Sequence, residues 1–264
     1  MLPANYQLVT SKDNKQLKHC AKLVSSKKFR REEGLFVAEG QRLCEDAIRS
    51  GLIPQQTFIV EDMVEKCQTI LERSGQVFVI TEELSAKISD TQTPQGVFCV
   101  FKTLDNGEAV DTMKWQRVVM LSSLQDPGNL GTIIRTSEAF GIDGLILSAD
   151  CPDLTAPKVL RSTMGGVFRL PIKVVDSMED EIARLRQQGF SVYATALSDK
   201  SVPITELSLE GKIAAVIGNE GNGLTQQVID ACTAQTIIPM AGKAESLNAA
   251  IAASIVIWEM CRKQ

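Results

Sequence analysis

The stretch KIAAVIGNEGNGL, residues 212–224, combines the two features that decide the fold. A run of apolar residues typical of a buried strand leads directly into a turn that contains Gly218, Gly221 and Gly223. Glycines in such a turn either reverse the chain or let the backbone approach a ligand closely. The turn also carries Glu220 but no lysine or arginine, whereas a loop that cradles phosphate needs basic residues. A ligand bound here would therefore be one that needs no basic phosphate cradle.

Similar apolar runs recur along the C-terminal part of the chain and alternate with stretches of helical periodicity. The predicted strands are 117–121, 144–148, 171–175, 190–196, 212–218 and 235–240. The predicted helices are 129–140, 156–163, 178–188, 224–231 and 247–263. Near-continuous apolar strands separated by helices are typical of a parallel sheet covered by helices on both faces. Because no G-x-G-x-x-G follows the first of these strands, the sequence does not favour a dinucleotide-binding fold.

The N-terminal part shows a shorter alternation of the same kind. Strands are predicted at 35–40, 57–60, 76–80 and 96–101, and helices at 11–28, 41–51 and 62–73. This order predicts a small α/β/α unit. The polar stretch that follows has no periodicity and is the best candidate for a linker. We therefore expect a first domain at 1–104, a linker at 105–114 and a second domain at 115–264.

The composition excludes several classes of protein. The chain has 264 residues, of which 44% are hydrophobic and 23% are charged, and this is the balance of a globular protein. No apolar run is long enough to span a bilayer and the N-terminus has no apolar signal segment, so we expect a cytoplasmic protein without membrane contact. Seven scattered cysteines and a single histidine, His19, argue against a disulfide framework, a metal site and a Ser-His-Asp triad.

The charge of the chain is unevenly distributed. The net charge of −4 by itself argues against a nucleic-acid partner. Between Lys12 and Arg31, however, eight basic residues stand against the single acid Asp13. Such a run forms either a solvated helix face or a local patch that contacts phosphates on an otherwise acidic protein, and the sequence alone allows both.

Two further loops carry polar residues next to predicted helices. In DPGNLGTIIR, which ends at Arg135, we expect Asn129 to cap the following helix and Arg135 to lie opposite its apolar face. Arg135 could simply be solvated there. In IPMAGKAESLN, which ends at Asn248, we expect Ser246 to cap the last helix. Asn248 then lies within that helix, where its amide either finds a polar partner or faces water.

Taken together, the three loops resemble the three motifs of the SpoU (TrmH-type) branch of the SPOUT methyltransferases. The matching residues are Asn129, Gly131 and Arg135 in the first loop, Gly218, Asn219, Glu220, Gly221, Gly223 and Leu224 in the second, and Ile238, Pro239, Met240, Gly242, Ser246, Leu247 and Asn248 in the third. The stretch 161–172 resembles the family's segment between the first two motifs. The stretches 36–51 and 84–101 resemble the substrate-binding domain of many members, which is related to small ribosomal proteins that bind kinked RNA.

The resemblance implies both a fold and an activity. Members have an α/β catalytic domain whose C-terminal sheet is threaded into a deep trefoil knot, and they act as homodimers. The apolar helix faces at 130–140 and 249–260 are available for such self-association. Members transfer a methyl group from S-adenosylmethionine to a ribose 2′-hydroxyl of RNA, and we expect large-subunit ribosomal RNA as the substrate. A tRNA substrate and a non-catalytic RNA-binding protein of the same fold remain as alternatives.

The resemblance also implies which residues form the site. The expected cofactor-binding residues are Ile217, Gly218, Asn219, Glu220, Gly221, Ile238, Pro239, Met240, Ser246 and Leu247. The expected catalytic residues are Arg135, Asn129, Glu220, Ser246 and Asn248.

The chemistry of these residues agrees with the implied cofactor. S-adenosylmethionine carries no phosphate, and its sulfonium cation tolerates the carboxylate of Glu220 where a lysine would repel it. In the family, the arginine that corresponds to Arg135 is the proposed base, yet a guanidinium with a pKa above about 12 normally stays charged. Arg135 therefore either loses its proton in a strongly perturbing site, or binds a phosphate and acidifies the hydroxyl, and we favour the second role. We expect Glu220 to orient Arg135 or the amide of Asn129.

Overall fold

The computed structural model describes residues 6–104, 111–242 and 246–262. Part of the predicted linker, residues 105–110, lies outside the described residues. The remainder of that linker contains a single turn of 3₁₀ helix, Thr112–Lys114.

By its internal contacts the chain divides into two compact units. The first unit contains Met1–Leu104 together with Asp153–Phe168, and the second contains Asp105–Pro152 together with Arg169–Gln264.

The first unit is built on a five-stranded mixed sheet. Along the chain its elements are β1 (Tyr6–Val9), α1 (Lys15–Ser25), α2 (Lys27–Glu33), β2 (Leu35–Glu39), α3 (Gln41–Arg49), β3 (Gln56–Val60), α4 (Gln68–Arg73), β4 (Gln76–Ile80), α5 (Glu82–Ile88) and β5 (Val97–Lys102). The strand order is β1-β4-β3-β5-β2, with β5 antiparallel to both of its neighbours and the other pairs parallel. The strands β2, β3 and β4 each bury their last four residues and β5 its first five, because both faces of this sheet are covered.

The single helix predicted at 11–28 is in fact two helices. Asn14 caps α1, and its side-chain oxygen accepts from two backbone N–H groups at 2.9 and 3.1 Å. The hydroxyl of Ser26 accepts from the N–H of Phe29 at 3.2 Å and so begins α2. A side-chain oxygen that competes for backbone N–H groups starts a new helix even where the apolar periodicity continues. The strand β1 was not predicted, because three of its four residues are exposed and form no apolar run.

Arg30 is the exception among the basic residues near the N-terminus, because only 5% of it is exposed. Its Nε and Nη2 donate to Oδ2 of Asp153 at 2.9 and 2.7 Å, and its Nη1 donates to the carbonyls of Leu23 and Val24. Burial alone would raise the pKa of Asp153, but hydrogen bonds from Thr155 and Arg30 outweigh it and lower that pKa below its usual value. The expectation that the whole basic run is a solvated face or a phosphate patch is therefore wrong for Arg30.

Residues 153–168 belong to the first unit although the chain on both sides of them belongs to the second. Arg161 donates to both carboxylate oxygens of Asp90 at 2.5 and 3.1 Å. Phe168 stacks on Phe36 with ring centroids 6.2 Å apart. The segment is thus an integral part of the first unit's packing, held by ionic and aromatic contacts.

The second unit is built on a seven-stranded sheet. Its elements along the chain are β6 (Arg117–Leu121), α6 (Pro127–Ala139), β7 (Gly144–Ser148), β8 (Ile172–Val175), α8 (Met178–Gln187), β9 (Ser191–Thr195), β10 (Val202–Pro203), β11 (Ile213–Ile217), α9 (Gln226–Ala231), β12 (Ala234–Ile237) and α10 (Ala249–Cys261). Between β7 and β8 the chain forms helix α7 (Pro157–Thr163), which belongs to the first unit. The strand order is β10-β12-β9-β11-β6-β7-β8, and every pairing is parallel, as predicted.

The position of β11 explains where a site can form. All five of its residues are buried, which requires cover on both faces of the sheet. In a parallel sheet the carboxyl ends of neighbouring strands meet at one edge, and ligands of open α/β sheets bind there. Because β11 lies between β6 and β9, and β12 lies beside β9, the loops that follow these four strands meet at that edge.

The seven cysteines are all buried, and no disulfide joins them. Burial raises the pKa of Cys67 to about 11, so its thiol stays protonated at neutral pH. Throughout the ranges that the structure describes, no helix is both long and apolar enough to cross a membrane. Within those same ranges, no three His, Cys, Asp or Glu side chains gather into a group that could hold a metal ion.

Candidate active site

Glu220 connects the loop after β11 to the loop after β6. Its Oε1 accepts from Nδ2 of Asn129 at 2.9 Å and from the backbone N–H of Asp126 at 3.2 Å. Its Oε2 accepts from the N–H of Gln125 at 3.0 Å. Of the two groups that Glu220 was expected to orient, it therefore contacts the amide of Asn129 and not Arg135.

Asn248 extends this contact to the third loop. Its Nδ2 donates to Oδ1 of Asn129 at 3.0 Å, so the Asn129 amide donates to a carboxylate on one side and accepts from an amide on the other. The Oδ1 of Asn248 accepts from the N–H groups of Ala250 and Ile251 and caps α10. The expectations that Ser246 caps the last helix and that Asn248 lies within it are both wrong.

The cap of α6 also differs from the expectation. The carboxylate of Asp126 accepts from the N–H of Asn129 at 2.8 Å, so Asp126 and not Asn129 is the capping residue. The physical reason is Pro127, because proline fits the first position of a helix and places the cap on the residue before it. The side chain of Asn129 is thereby free to join Glu220 and Asn248.

Arg135 lies on the exposed face of α6. Leu130, Ile133 and Ile134 are fully buried, which confirms the predicted apolar face, whereas Phe140 is 37% exposed. Among the described residues the Arg135 side chain has no hydrogen-bond or ion-pair partner, Glu220 included. The structure therefore brings together Asn129, Glu220 and Asn248 from the predicted catalytic set, and it leaves the guanidinium of Arg135 and the hydroxyl of Ser246 outside that network.

The glycine turn after β11 is explained mainly by its own closure. A Cβ on Gly218 would lie 2.5 Å from the backbone carbon of Gly223, which has a φ of +66°. Asn219 and Gly223 exchange two backbone hydrogen bonds of 3.0 Å, and Oδ1 of Asn219 accepts from the N–H of Gly221 at 2.8 Å. The sequence allowed two explanations for these glycines, reversal of the chain and close approach of the backbone to a ligand. Reversal of the chain is enough to explain the glycines at positions 218 and 223.

An apolar cavity of about 160 Å³ lies beside this network at the same edge of the sheet. It is lined by Thr195, Ala196, Leu197, Thr236, Ile237, Ile238, Met240, Ser246, Leu247 and Ala252. Four of the predicted cofactor residues are among them, namely Ile238, Met240, Ser246 and Leu247. The other predicted cofactor residues do not line this cavity: Ile217, Gly218, Asn219, Glu220, Gly221 and Pro239.

The sequence-based prediction missed the cavity residues at the carboxyl end of β9. Thr195 and Leu197 were read only as a strand and its end, since nothing in a single apolar run shows which strands become its neighbours. The placement of β9 between β11 and β12 brings these residues to the cavity. The signal that could have found them is their position at the carboxyl end of a parallel strand.

The carboxylate of Glu220 is ionised at neutral pH. Partial burial alone would raise its pKa, but hydrogen bonds from the side chain of Asn129 and from the backbone of Gln125 and Asp126 outweigh this and lower the pKa below its usual value. The site thus holds a negative charge at neutral pH, beside an apolar cavity.

Comparison with known proteins assigns the chain to a family. The model of the SpoU rRNA Methylase family matches residues 116–258. The chain belongs to the SpoU family. The model of the MRM3-like substrate binding domain matches residues 14–99, and so the resemblance seen in the sequence is confirmed in both parts of this SpoU methylase.

Relatives of this SpoU methylase are similar over nearly the whole chain. A 23S rRNA (guanosine(2553)-2′-O)-methyltransferase, RlmP of Bacillus subtilis, is 31% identical over 96% of this chain and 98% of its own. The crystal structure of an AdoMet-bound rRNA methyltransferase from Sinorhizobium meliloti is 33% identical, with a TM-score of 0.88 over 98% of this chain and 99% of that one. The SpoU methyltransferase AviRb from Streptomyces viridochromogenes, in complex with AdoMet, is 25% identical, with a TM-score of 0.86 over 95% and 98% of the two chains.

These similarities decide the class of the protein. It is an RNA methyltransferase that uses S-adenosylmethionine, and it has the mixed α/β fold of the SpoU methyltransferases.

Proposed function

We propose that this enzyme methylates a ribose 2′-hydroxyl in large-subunit ribosomal RNA. The observation that carries the proposal is the chain of hydrogen bonds from Glu220 through Asn129 to Asn248, which joins three loops at the carboxyl edge of the second unit's sheet. The similarity to RlmP of Bacillus subtilis, whose name specifies 23S rRNA, favours ribosomal RNA over tRNA. The intact polar network argues against a non-catalytic RNA-binding protein.

The cavity that follows β9 and β12 would hold part of S-adenosylmethionine. Its described lining includes no lysine or arginine, which suits a cofactor without phosphates. Ile238, Met240 and Leu247 would flank the adenine, and the hydroxyl of Ser246 would provide a polar contact. The backbone of Ile217, Gly218, Asn219, Gly221 and Pro239 would provide further polar groups. When bound, the cofactor supplies an electrophilic methyl group on a sulfonium centre, whose positive charge the carboxylate of Glu220 tolerates.

Arg135 would bind a phosphate of the RNA. Its exposed guanidinium has no partner among the described residues, so it is available for an anionic ligand. Placed beside the ribose, a fixed positive charge stabilises the negative charge that develops on the 2′-oxygen and so acidifies the hydroxyl. Asn129, Ser246 and Asn248 would orient that hydroxyl for attack, and its proton would pass to solvent water.

The finer architecture follows from the same family membership. We propose a deep trefoil knot within 115–264, an RNA-binding role for the ribosomal-protein-like domain 1–104, and a homodimer in the cytoplasm. Exposed apolar side chains on α10 and at the end of α6 support self-association, since Ile251, Trp258 and Phe140 are 53%, 50% and 37% exposed. Light scattering that found a monomer at micromolar concentration would refute the dimer.

Mapping of the product tests the proposed reaction. The purified protein is incubated with S-adenosylmethionine and with unmodified ribosomal RNA or tRNA, and 2′-O-methylation is then mapped along each RNA. We expect a new ribose methylation in the large-subunit ribosomal RNA and none with the Arg135→Ala variant. Methylation of a base, methylation of tRNA alone, or no transfer by the wild-type protein would each contradict the proposal.

A further inference from the structure

Ser123, in the loop between β6 and α6, has a left-handed backbone conformation. Its φ is +57°, and only one other non-glycine residue in the described part of the chain, Met164, has a positive φ. Serine does not favour this region, so the surrounding structure must impose the conformation. Nothing in the sequence predicts this conformation, since Ser123 lies in none of the three motifs.

The unusual conformation lets both peptide groups of Ser123 reach partners on other strands. Its N–H donates to Oγ of Ser148, at the end of β7, at 2.8 Å. Its carbonyl accepts from Nδ2 of Asn219, in the turn after β11, at 2.8 Å, and from Nε2 of Gln125 at 3.0 Å. Ser123 therefore connects the carboxyl ends of three adjacent strands, β7, β6 and β11.

The side chain of Asn219 links Ser123 to the turn that carries Glu220. With its Nδ2 held by Ser123, the Oδ1 of Asn219 accepts from the N–H groups of Gly221 and Asn222 at 2.8 and 3.0 Å. These two bonds enclose position 220. The orientation of the Asn219 amide, and with it the turn, thus depends on where the Ser123 carbonyl points.

Asp150 fixes the orientation of the Ser148 hydroxyl, which is the partner of the Ser123 N–H. The hydroxyl of Ser148 donates to Oδ1 of Asp150 at 2.5 Å, which commits its only proton and leaves its lone pairs for the N–H of Ser123. Burial would raise the pKa of Asp150, but the hydroxyls of Ser123 and Ser148 interact with its carboxylate and lower that pKa below its usual value. The backbone and the side chain of Ser123 therefore have separate partners, and substitutions can separate the two.

We propose that Ser123 is a positioning residue for methyl transfer. Its left-handed backbone holds Asn219, Asn219 holds the turn, and the turn places Glu220 against Asn129. The inference rests on the proposed function, because it assigns Glu220 and Asn129 to the reacting site. It predicts that the backbone conformation at position 123 matters for turnover, whereas the hydroxyl does not.

Two substitutions at this position separate backbone from side chain. Ser123→Gly keeps both peptide groups and favours a positive φ, so we expect kcat within about twofold of wild type. Ser123→Val removes the same hydroxyl but resists a positive φ, so we expect kcat to fall by about tenfold or more, with the KM for RNA unchanged. Hydrogen exchange at the amides of Gly221 and Gly223 should be faster in the valine variant and unchanged in the glycine variant.

Asn219→Asp provides a second test should the valine variant fold poorly. It removes the donor to the Ser123 carbonyl but keeps the oxygen that accepts from Gly221, so we expect the same loss of kcat and the same faster exchange. Equal losses in the glycine and valine variants would overturn the proposal in favour of the hydroxyl. Wild-type kcat in Ser123→Val, or faster exchange with unchanged kcat, would also overturn it. Failure of the proposed function is distinct, because the wild-type protein would then not methylate RNA.

Discussion

Two polar clusters of this protein join distant parts of the chain, but they differ in exposure. In the first unit, Arg30 is 5% exposed and donates through all three of its nitrogens to Asp153 and two carbonyls. In the second unit, the network of Glu220, Asn129 and Asn248 is exposed. The buried cluster has its donors satisfied within the protein, as burial of a charge demands. The exposed cluster keeps polar groups within reach of a ligand, which is what a site requires.

The largest expected effect concerns Arg135, whose side chain has no partner among the described residues. Arg135→Ala should lower kcat by on the order of a thousandfold, about 4 kcal/mol in activation free energy, because the charge that we propose to stabilise the 2′-oxygen is lost. Binding of S-adenosylmethionine, measured by calorimetry, should change less than about twofold. Arg135→Lys keeps the charge and is the matched control. Full turnover by the alanine variant would remove the role that we assign to Arg135.

The buried cation of the first unit should affect stability and not catalysis. Arg30→Met leaves the carboxylate of Asp153 without its ionic partner and should lower the free energy of unfolding by about 3 kcal/mol. Arg31→Met, at the exposed neighbouring position, is the matched control and should change stability by less than about 0.5 kcal/mol. Denaturant titration measures both. Equal effects of the two substitutions would show that burial does not distinguish these arginines.

Glu220→Gln removes the charge of the exposed network but keeps its shape. The glutamine amide cannot accept from all three donors that Glu220 satisfies, so the amide of Asn129 loses its orientation. We expect kcat to fall about tenfold and the free energy of unfolding to change by less than about 1 kcal/mol. Glu210→Gln, at another exposed acid of the same unit, is the control. A loss of stability without a loss of kcat would make Glu220 a structural residue.

The smallest expected effect is the pH dependence of the stability that the buried pair Arg30 and Asp153 contributes. The pKa of Asp153 is lowered in the folded protein, so its stabilising contribution is present above the pKa of the unfolded chain, about 3.9, and is lost as the pH falls through the lower folded value. The difference in unfolding free energy between wild type and Arg30→Met should therefore be constant from pH 7 to about pH 5 and shrink below about pH 4. Urea titrations across this range measure it. A difference that grows on acidification would contradict the lowered pKa.

Much of the secondary structure could be predicted because the buried face of a strand or helix appears as a regular spacing of apolar residues within a short stretch of sequence. Strands β6 and β7 fall at the predicted residues, and the apolar face of α6 is buried as expected. Apart from β1, α5 and β10, which were not predicted, the errors lie at helix ends. Asn14, Ser26, Asp126 and Asn248 are the caps, and several Ser, Thr, Asn or Asp residues near each boundary could have served equally well.

The contacts within the candidate site were less predictable. The motif resemblance singled out Asn129, Glu220 and Asn248, but their hydrogen bonds depend on strands that are remote in sequence and adjacent in the sheet. Thr195 was missed for the same reason, since its place in the site also depends on strand order. It lines the cavity only because β9 lies between β11 and β12.

The sequence by itself determined which segments are buried, which loops carry glycine and polar residues, and through its motifs the family. The tertiary structure alone decided that Arg30 is buried, that residues 153–168 belong to the first unit, and that Ser123 adopts a left-handed backbone. The physical reason for this difference is that the burial of an apolar face can be predicted from the spacing of apolar residues along a short stretch of chain. The partner of a polar group depends instead on strand order and chain path, which no short stretch of sequence contains.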